Sequence, residues 1–510
     1  MFVAAPLHAQ DFNTRVVVSN DYDASIPDLS KGFVKMSVPD SLTVIPRNFE
    51  YSVFDTPYRG TEEFSPYSVL VRPEAGTYTH KRFYASAGAG YTFHPELCFV
   101  FEPEAKGRVR FATFGDFRGY SGKYCAVSNV RDEMNGHDFG ARAGANASFD
   151  LKKADIRLGV SYRGIYPGAD NMLYGGFNAF KASFEASSSK LTRLDLGLKV
   201  GFTASSDLYG GVRTSDNRLD VGLTVGHIVF GSSRFGVDAL LALDNERGSS
   251  QYDFSLKPRY ILEIGGFVLN AGLKLEFSNM YHRPSLLSPD VTASFNFKRI
   301  PLKVFAGVSG GATMFNHIDL KEWNHFYTAL YGGRDNRVEN IRIFAGLKGA
   351  VASSLDYGLD VSYTDYASTP MFGVKRLRFV QYRVFRAGVN LAYRQGAFTA
   401  SGKIGVEQNC GAELPSDVFT APTFSGSGTL EYRFRSRLLV GLDLSGEAER
   451  RSELCTLPAY FDFGLHANYR INRFLTAWLK GSNLFGRTIH RTPLFAEKGP
   501  AVTAGISVVF

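Results

Sequence analysis

The sequence predicts an all-β protein, a transmembrane antiparallel β-barrel of about 22 strands that follows a short N-terminal extended segment. Three observations predict this fold. Apolar and polar residues alternate along segments that recur through most of the chain, short connections alternate with longer ones, and the final strand ends on an aromatic residue. Nowhere does the chain reach the roughly 18 uninterrupted apolar residues that a membrane-spanning helix requires.

The composition excludes several classes of protein. Aromatic residues make up 14% of the chain, and Gly and Pro number 52 and 20, so the chain is neither disordered nor of low complexity. The 57 basic and 49 acidic residues give a net charge of +8, but Lys and Arg are scattered without a basic block. This scatter favours a solvated or lumenal face, so no nucleic-acid partner is expected.

The strand prediction rests on a period of two in the hydrophobicity. Residues 194–203 read LDLGLKVGFT, in which every second residue is apolar and glycine or a polar residue lies between. Residues 269–277 repeat the pattern. Such alternation is typical of a strand with lipid on one face and a polar lumen on the other. Because every backbone polar group in a bilayer must be paired within the protein, the sheet is expected to close into a barrel.

Charged residues on the polar face are the candidates for the lumen wall. They could line a path for a solute, or they could form salt bridges that hold the wall rigid. The residues predicted to face the lumen are Arg157, Arg163, Asp195, Lys199, Asp220, Lys274, Glu276 and Asp443.

The lengths of the connections predict the topology. Short turns are predicted at residues 94–96, 151–153, 187–190, 231–233, 265–266, 299–301, 353–354, 395–396, 435–436 and 471–473. Longer polar loops are predicted at residues 118–137, 244–251, 316–337 and 488–498. Short turns mark the periplasmic side of an outer-membrane barrel. With both termini in the periplasm, an even strand number requires one more strand before Phe83, within residues 64–72.

The two ends of the chain carry further signals. Residues 1–9 are interpreted as the remnant of a signal peptide, and residues 10–63 as a periplasmic or lumenal extended segment. Six of the 20 prolines lie in residues 11–79, which disfavours regular structure there. Residues 64–510 form the predicted barrel. At its end, Ile506, Val508 and Phe510 are expected to form the signal that the barrel-assembly machinery reads.

The C-terminal region resembles a known family. The tripeptide at residues 483–485, Asn-Leu-Phe, is followed by a loop and a closing strand that ends on Phe510, as in TonB-dependent receptor barrels, especially those of Bacteroidota. The resemblance implies a 22-stranded barrel, and also a plug domain and a TonB box that are not recognisable in this chain. It further implies a bacterial outer-membrane location. Outer-membrane lipid, lipopolysaccharide, the assembly machinery and a lipoprotein or periplasmic protein are the expected partners.

Candidate chemistry is sparse. His317, Asp319, Glu322 and His325 could bind metal, but the H-E-x-x-H motif is absent and an ordinary polar surface loop is favoured. Residues 307–311 match Gly-x-Ser-x-Gly, yet Ser309 lies inside a predicted strand rather than at a strand-to-helix turn. No catalytic residue, metal or cofactor is therefore expected. Cys410 and Cys455 could bridge two neighbouring loops, or both could be free thiols.

Three functions remain open from the sequence. The first is an outer-membrane transporter or channel of the TonB-dependent receptor type. The second is a non-transporting barrel that anchors or assembles an outer-membrane protein complex, which the missing plug and the proline-rich N-terminal segment favour. The third, an enzyme, has the least support.

Overall fold

The computed structural model describes residues 82–510, except for residues 92, 104–106, 127–128, 170–173, 189–194, 247, 280–282, 298–299, 328–334, 352–353, 374–376, 412–413, 436, 455 and 490–494. The expected signal-peptide remnant, the extended segment and the strand within residues 64–72 all lie outside the described residues. Among the described residues there is no helix long and apolar enough to cross a membrane.

The described residues form strands almost throughout, with one short helix. Twenty-two of the strands form the wall of a barrel. The wall strands of the first half are β1 Phe83–Tyr91, β2 Glu96–Phe101, β3 Val109–Ala126, β4 Asn129–Asp150, β5 Ala154–Ala169, β6 Tyr174–Ser188, β7 Asp195–Tyr209, β8 Val212–Phe230, β9 Ser233–Glu246, β10 Ser249–Ile264 and β11 Phe267–Ser278. Those of the second half are β12 Ser285–Asn296, β13 Leu302–Met314, β14 Asn336–Val351, β15 Leu355–Phe372, β16 Leu377–Gln395, β17 Phe398–Asn409, β18 Phe424–Phe434, β19 Leu438–Glu447, β22 Tyr460–Arg470, β23 Leu475–Ser482 and β26 Ala501–Val509.

The remaining elements lie in the connections. The strands β20 Arg450–Arg451 and β21 Thr456–Leu457 pair with each other between β19 and β22. The strands β24 Thr488–Ile489 and β25 Phe495–Lys498 form a hairpin between β23 and β26, and β25 also pairs with the end of β3. The helix α1 His317–Trp323 lies between β13 and β14.

The sheet closes on itself. Each wall strand pairs antiparallel with its neighbours in the chain, and β1 also pairs with β26, from Tyr84 opposite Val509 to Tyr91 opposite Val502. The carbonyl oxygen of Phe510 accepts hydrogen bonds from the backbone N–H of Phe83 at 2.7 Å and of Arg82 at 2.8 Å. The predicted closed antiparallel barrel of 22 strands is thereby confirmed.

The two faces of the wall differ as the alternation predicts. On β7, Leu196 and Leu198 are exposed on the outer face, whereas Ser205 and Asp207 are buried on the inner face. Many Leu, Val, Ile, Phe and Tyr side chains are exposed along the wall strands. An apolar exterior around a polar interior is the arrangement that a lipid environment requires.

Nine of the ten predicted short turns lie at one end of the barrel, the same end as the start of β1 and Phe510. We call it the terminal end and the opposite one the loop end. The turn at residues 94–96 is the exception, because β1 starts at the terminal end and its connection to β2 lies at the loop end. The tenth connection at the terminal end is the one between β2 and β3. The ring is therefore complete without a strand before Phe83.

Two predicted long loops are mostly strand. In the first, β3 continues to Ala126 and β4 begins at Asn129. In the second, β9 continues to Glu246 and β10 begins at Ser249. A strand of about 9–11 residues suffices to span a bilayer, whereas β3 has 18 residues and β4 has 22. The polar residues of the two predicted loops thus belong to paired strands that continue beyond the length needed to span a bilayer.

Candidate functional site

The connection from β13 to β14 folds into the barrel. We call residues 315–327 the inserted loop. Ile318 packs against Ile165 and Phe177 on β5 and β6, while Leu320 packs in a cluster with Phe372 on β15 and a leucine on β16. Because β5–β6 and β15–β16 lie on opposite sides of a ring of 22 strands, a segment that contacts both must cross the lumen. The expectation of a surface loop at residues 316–337 is therefore wrong for this part.

The helix of the inserted loop starts with a complete capping box. The Asn316 side chain accepts a hydrogen bond from the Asp319 backbone N–H at 2.8 Å, and the Asp319 carboxylate accepts one from the Asn316 N–H at 3.2 Å. These bonds satisfy N–H groups that the first turn of a helix leaves unpaired. Burial raises the pKa of Asp319, an effect that the nearby Arg218 guanidinium opposes.

A buried ion pair fastens the middle of the inserted loop to β7. The Lys321 side chain is 1% exposed, and its Nζ donates to Asp207 Oδ1 at 3.3 Å and to the Tyr327 carbonyl at 2.7 Å. His317 Nε2 lies 3.2 Å from Asp207 Oδ2, and the His317 backbone N–H donates to Asp216 Oδ2 at 3.0 Å. Burial lowers the pKa of Lys321, and the negative charge of Asp207 opposes that shift.

Two further polar contacts join the inserted loop to the wall. His325 Nδ1 lies 2.6 Å from Asp138 Oδ2 on β4, and Glu322 lies 3.6 Å from Arg163 on β5. The four residues with metal-binding capacity therefore have separate partners and do not converge. Within the described part of the chain, no group of three or more His, Cys, Asp and Glu side chains could hold a metal ion.

β13, the strand that leads into the inserted loop, contains a bulge. The pairing of β13 with β14 shifts register between Ser309 and Gly311. The next residue, Ala312, is held from β11: its N–H donates to Glu276 Oε2 at 2.8 Å, and its carbonyl accepts from Lys274 Nζ at 3.3 Å. Gly311 has φ of 135°, and a Cβ there would meet Lys274 Nζ at 2.8 Å. This position therefore favours glycine.

A second connection at the loop end packs beside the first. Val418 and Ala421, between β17 and β18, pack with Tyr366, Met371 and Tyr382 on β15 and β16 in a buried apolar cluster. Val418 also forms an isolated backbone bridge with residue 373, just after β15. The β15–β16 side of the mouth is therefore covered by two connections.

The eight predicted lumen residues all lie on the strand face opposite the exposed apolar side chains. Arg163 contacts the inserted loop, whereas Lys274 and Glu276 hold Ala312 on β13, shortly before the loop begins. Arg157 and Lys199 both pair with Glu185, at 3.7 Å and 3.0 Å. Of the remaining three, Asp220 pairs at 2.9 Å with Arg218, whose guanidinium also donates to the Met314 carbonyl at 3.2 Å, just before the inserted loop. Asp443 pairs with His466 at 2.7 Å and Asp195 lies beside Gly226, both apart from the loop contacts. They do not form one cluster, and their use as a solute path stays a prediction.

Sequence reasoning missed Asp207, Asp138 and Lys321. Asp207 lies at an inward-facing position of β7, so the alternation predicts that its side chain points into the lumen but does not predict its partner. Asp138 follows a predicted loop, and Lys321 lies in a segment interpreted as surface. Asp207 and Lys321, and likewise Asp138 and His325, are more than a hundred residues apart in the sequence. Only the closed ring brings each pair together.

The other candidates take no part in the site. Ser309 is buried within β13 and no helix directly follows it, so the nucleophile elbow is absent. Cys410 is an exposed free thiol, and Cys98 is a half-buried free thiol on β2. The proposed partner of Cys410, Cys455, lies outside the described residues.

The fold is that of an outer-membrane receptor barrel. One similar solved structure is a variant of the ferric enterobactin receptor PfeA from Pseudomonas aeruginosa, with a TM-score of 0.63 and 11% sequence identity over 84% of this chain and 80% of that one. Another is the siderophore receptor PirA from Acinetobacter baumannii, with a TM-score of 0.62 and 10% identity over 84% of this chain and 80% of that one. A third is the copper transporter OprC, with a TM-score of 0.64 and 10% identity over 84% of this chain and 82% of that one. These identities establish the fold alone.

No protein-family description matches the chain, and no curated protein is similar to it in sequence. At the level of the fold, the resemblance to TonB-dependent receptor barrels is confirmed. The three structural neighbours are named for transport or reception, and none is an enzyme. The Bacteroidota type and the missing plug remain expectations.

Proposed function

We propose that this protein is an outer-membrane transporter or channel of the TonB-dependent receptor type, with the inserted loop as the gate at the loop end. The observation that carries the proposal is the helix-bearing loop that crosses a closed ring of 22 strands and is fastened to the wall by a buried ion pair. In this proposal the terminal end faces the periplasm, and the loop end faces the outside.

The width of the barrel supports a role in transport. Barrels of about 8 strands are filled by their own side chains, those of about 16–18 strands leave an aqueous channel, and those of about 22 enclose a plugged lumen. A ring of 22 strands therefore leaves space for a solute wherever no segment fills it. The inner wall is polar and bears charges of both signs, which suits a hydrated solute.

The contacts of the inserted loop support a role as a gate. Several are ion pairs or hydrogen bonds, which water can replace when the loop moves. Asp138 lies on β4, on the opposite side of the ring from β13 and β14, and Asp207 lies on β7, about a quarter of the ring away from β13. A movement of the loop away from β4–β7 would open a passage along that wall.

The alternative is a barrel that anchors or assembles a larger outer-membrane complex without conducting. The packing of two connections over the β15–β16 side of the mouth favours it, because a mouth held closed by buried contacts would pass little. In this alternative the inserted loop is a permanent strut.

Conductance in planar bilayers tests the proposal. The full chain is compared with a variant in which residues 315–327 are replaced by a Gly-Ser linker of equal length. A matched control replaces residues 448–459, which also lie at the loop end but outside the inserted loop, in the same way. We expect a several-fold larger conductance for the first variant and an unchanged one for the control. Folded but silent proteins in all three cases would overturn the proposal in favour of the anchor.

A further inference from the structure

Exposed basic residues gather at the terminal end of the barrel. We call Arg108, Lys152, Lys153, Arg435, Arg437 and Arg473 the basic arc; all six are exposed. Among the described residues of the ten connections at this end, Glu102 is the one acidic side chain. The connections at the loop end mix both signs, as in the run from Glu449 to Glu453 with Arg450 and Arg451 inside it. Within the described residues, the connections at the two ends of the barrel therefore differ in charge.

The basic arc occupies one side of the ring. Its residues lie in four connections, β18–β19, β22–β23, β2–β3 and β4–β5, which follow one another around the ring across the closing seam of β26 and β1. Arg82, exposed at the start of β1, lies at that seam. The connections at residues 231–232, 265–266 and 396–397, elsewhere on the ring, contain only Gly, Ser and Ala. Adjacent connections on one side of the seam are two strands apart, about 10 Å across the strands, whereas β22–β23 and β2–β3, with the seam and Arg82 between them, are four strands apart, about 20 Å.

The basic arc borders the apolar exterior. Leu151 precedes Lys152 and is 47% exposed, and Phe434 precedes Arg435 and is 49% exposed. The Arg473 guanidinium lies 4.5 Å from the centroid of the Phe474 ring, which is also exposed. Basic side chains next to exposed aromatic and aliphatic residues are typical of the level where hydrocarbon meets headgroups. This position directs the charges towards a lipid leaflet.

We propose that the basic arc binds the phosphate groups of anionic phospholipids in the leaflet at the terminal end. The proposal rests on the membrane location within the proposed function. Lipid is favoured over an acidic protein partner because each charged connection adjoins the hydrocarbon-facing exterior, and because a spacing of about 10 Å suits separate headgroups. The neutral connections elsewhere on the ring are expected to show no such preference.

Lipid competition on the full chain tests the proposal. The purified protein is reconstituted in bilayers of phosphatidylcholine with a minor fraction of phosphatidylglycerol, and the lipids that remain bound on extraction are measured by mass spectrometry. We expect several-fold enrichment of phosphatidylglycerol, which falls at high salt because salt screens the charges. Complete displacement by inorganic phosphate would overturn the assignment to lipid.

Two variants with equal loss of charge locate the effect. One carries K153Q, R435Q, R437Q and R473Q in the basic arc. The matched control carries R213Q, R283Q, R451Q and R487Q, exposed arginines towards the loop end. We expect the first variant to lose the enrichment and the control to keep it. Equal enrichment in both, or equal loss in both, would overturn the proposal.

The outcome is separable from that of the proposed function. A protein that inserts and conducts but shows no lipid preference contradicts the basic arc alone. A protein that enters no bilayer of either composition contradicts the membrane location on which both proposals rest.

Discussion

Asp207 is the residue where two polar contacts of the inserted loop meet. Its carboxylate faces both His317 and Lys321, and all three side chains are almost completely buried. A buried ammonium group without an ion-pair partner is costly, so this carboxylate contributes strongly to holding the loop in place.

Replacing Asp207 with Asn should release the loop. The change leaves the Lys321 charge buried without its ion pair, at a cost of about 3–5 kcal/mol. We expect trypsin to cut after Lys321 in the folded variant, as seen by mass spectrometry, and the conductance to rise. Asp195→Asn, on the same strand but away from the loop, is the control and should stay resistant. An uncut D207N protein with wild-type conductance would show that the loop is held by its apolar contacts.

Position 505 favours glycine because neighbouring atoms lie close to its Cα, and not because of its backbone angle φ. A Cβ there would lie 2.3 Å from the Ala87 carbonyl oxygen and 2.3 Å from Trp478 Cζ2, at the pairing of β1 with β26. At Gly402 the nearest atom is the Ser427 carbonyl oxygen at 3.6 Å, an ordinary contact.

Gly505→Ala should therefore lower the free energy of unfolding by about 1–3 kcal/mol, the usual cost of overpacking. Gly402→Ala should change it by less than about 0.5 kcal/mol. Urea unfolding followed by tryptophan fluorescence measures both, since Trp478 packs against this seam. Equal midpoints for the two variants would mean that the seam adjusts without cost.

At the scale of the element, β7 combines the two properties of the wall. Its outer face bears exposed leucines, and its inner face bears Lys199 near the terminal end and Asp207 near the loop end. The same strand therefore contacts lipid in the proposed location and fastens the gate.

A charge on the outer face of β7 tests the assignment of the faces. Phe202→Arg should destabilise the protein in lipid by about 2–4 kcal/mol, because Phe202 is exposed on the outer face further from the terminal end and an arginine at mid-membrane depth is poorly solvated. Lys199→Leu, on the inner face of the same strand, removes a partly exposed pair with Glu185 and should cost less than about 1 kcal/mol. Reversible unfolding in vesicles measures both values. The opposite order would mean that the faces are interchanged.

At the scale of the whole molecule, the ring is closed by its first and last strands. The backbone of Phe510 bonds to Phe83 in both directions, and the two rings lie 4.9 Å apart. Ile506 and Phe510 are exposed on the outer face. The role of this strand as an assembly signal stays a prediction.

Deletion of Phe510 separates assembly from stability. If the residue is read by the assembly machinery, the amount of folded protein in bacterial outer membranes should fall several-fold, while refolding into vesicles without the machinery stays close to wild type. Phe510→Tyr keeps the aromatic end and serves as the control. A loss of equal size in vesicles would assign the residue to closure of the seam alone.

The sequence by itself determined most of the strands, their two faces and the closing strand, because a period of two in hydrophobicity is a local property that lipid and water impose on every segment. The predicted number of 22 agrees with the ring, although the prediction placed one of those strands before Phe83, outside the ring. It could not determine which strands a long loop contacts, since that depends on neighbours far apart in the chain. The insertion of residues 315–327, the pair of Lys321 with Asp207 and the end at which residues 94–96 turn were decided only by closure of the ring. The basic arc shows the same limit: its residues are scattered along the chain, and the antiparallel topology alone brings their connections to one end of the barrel.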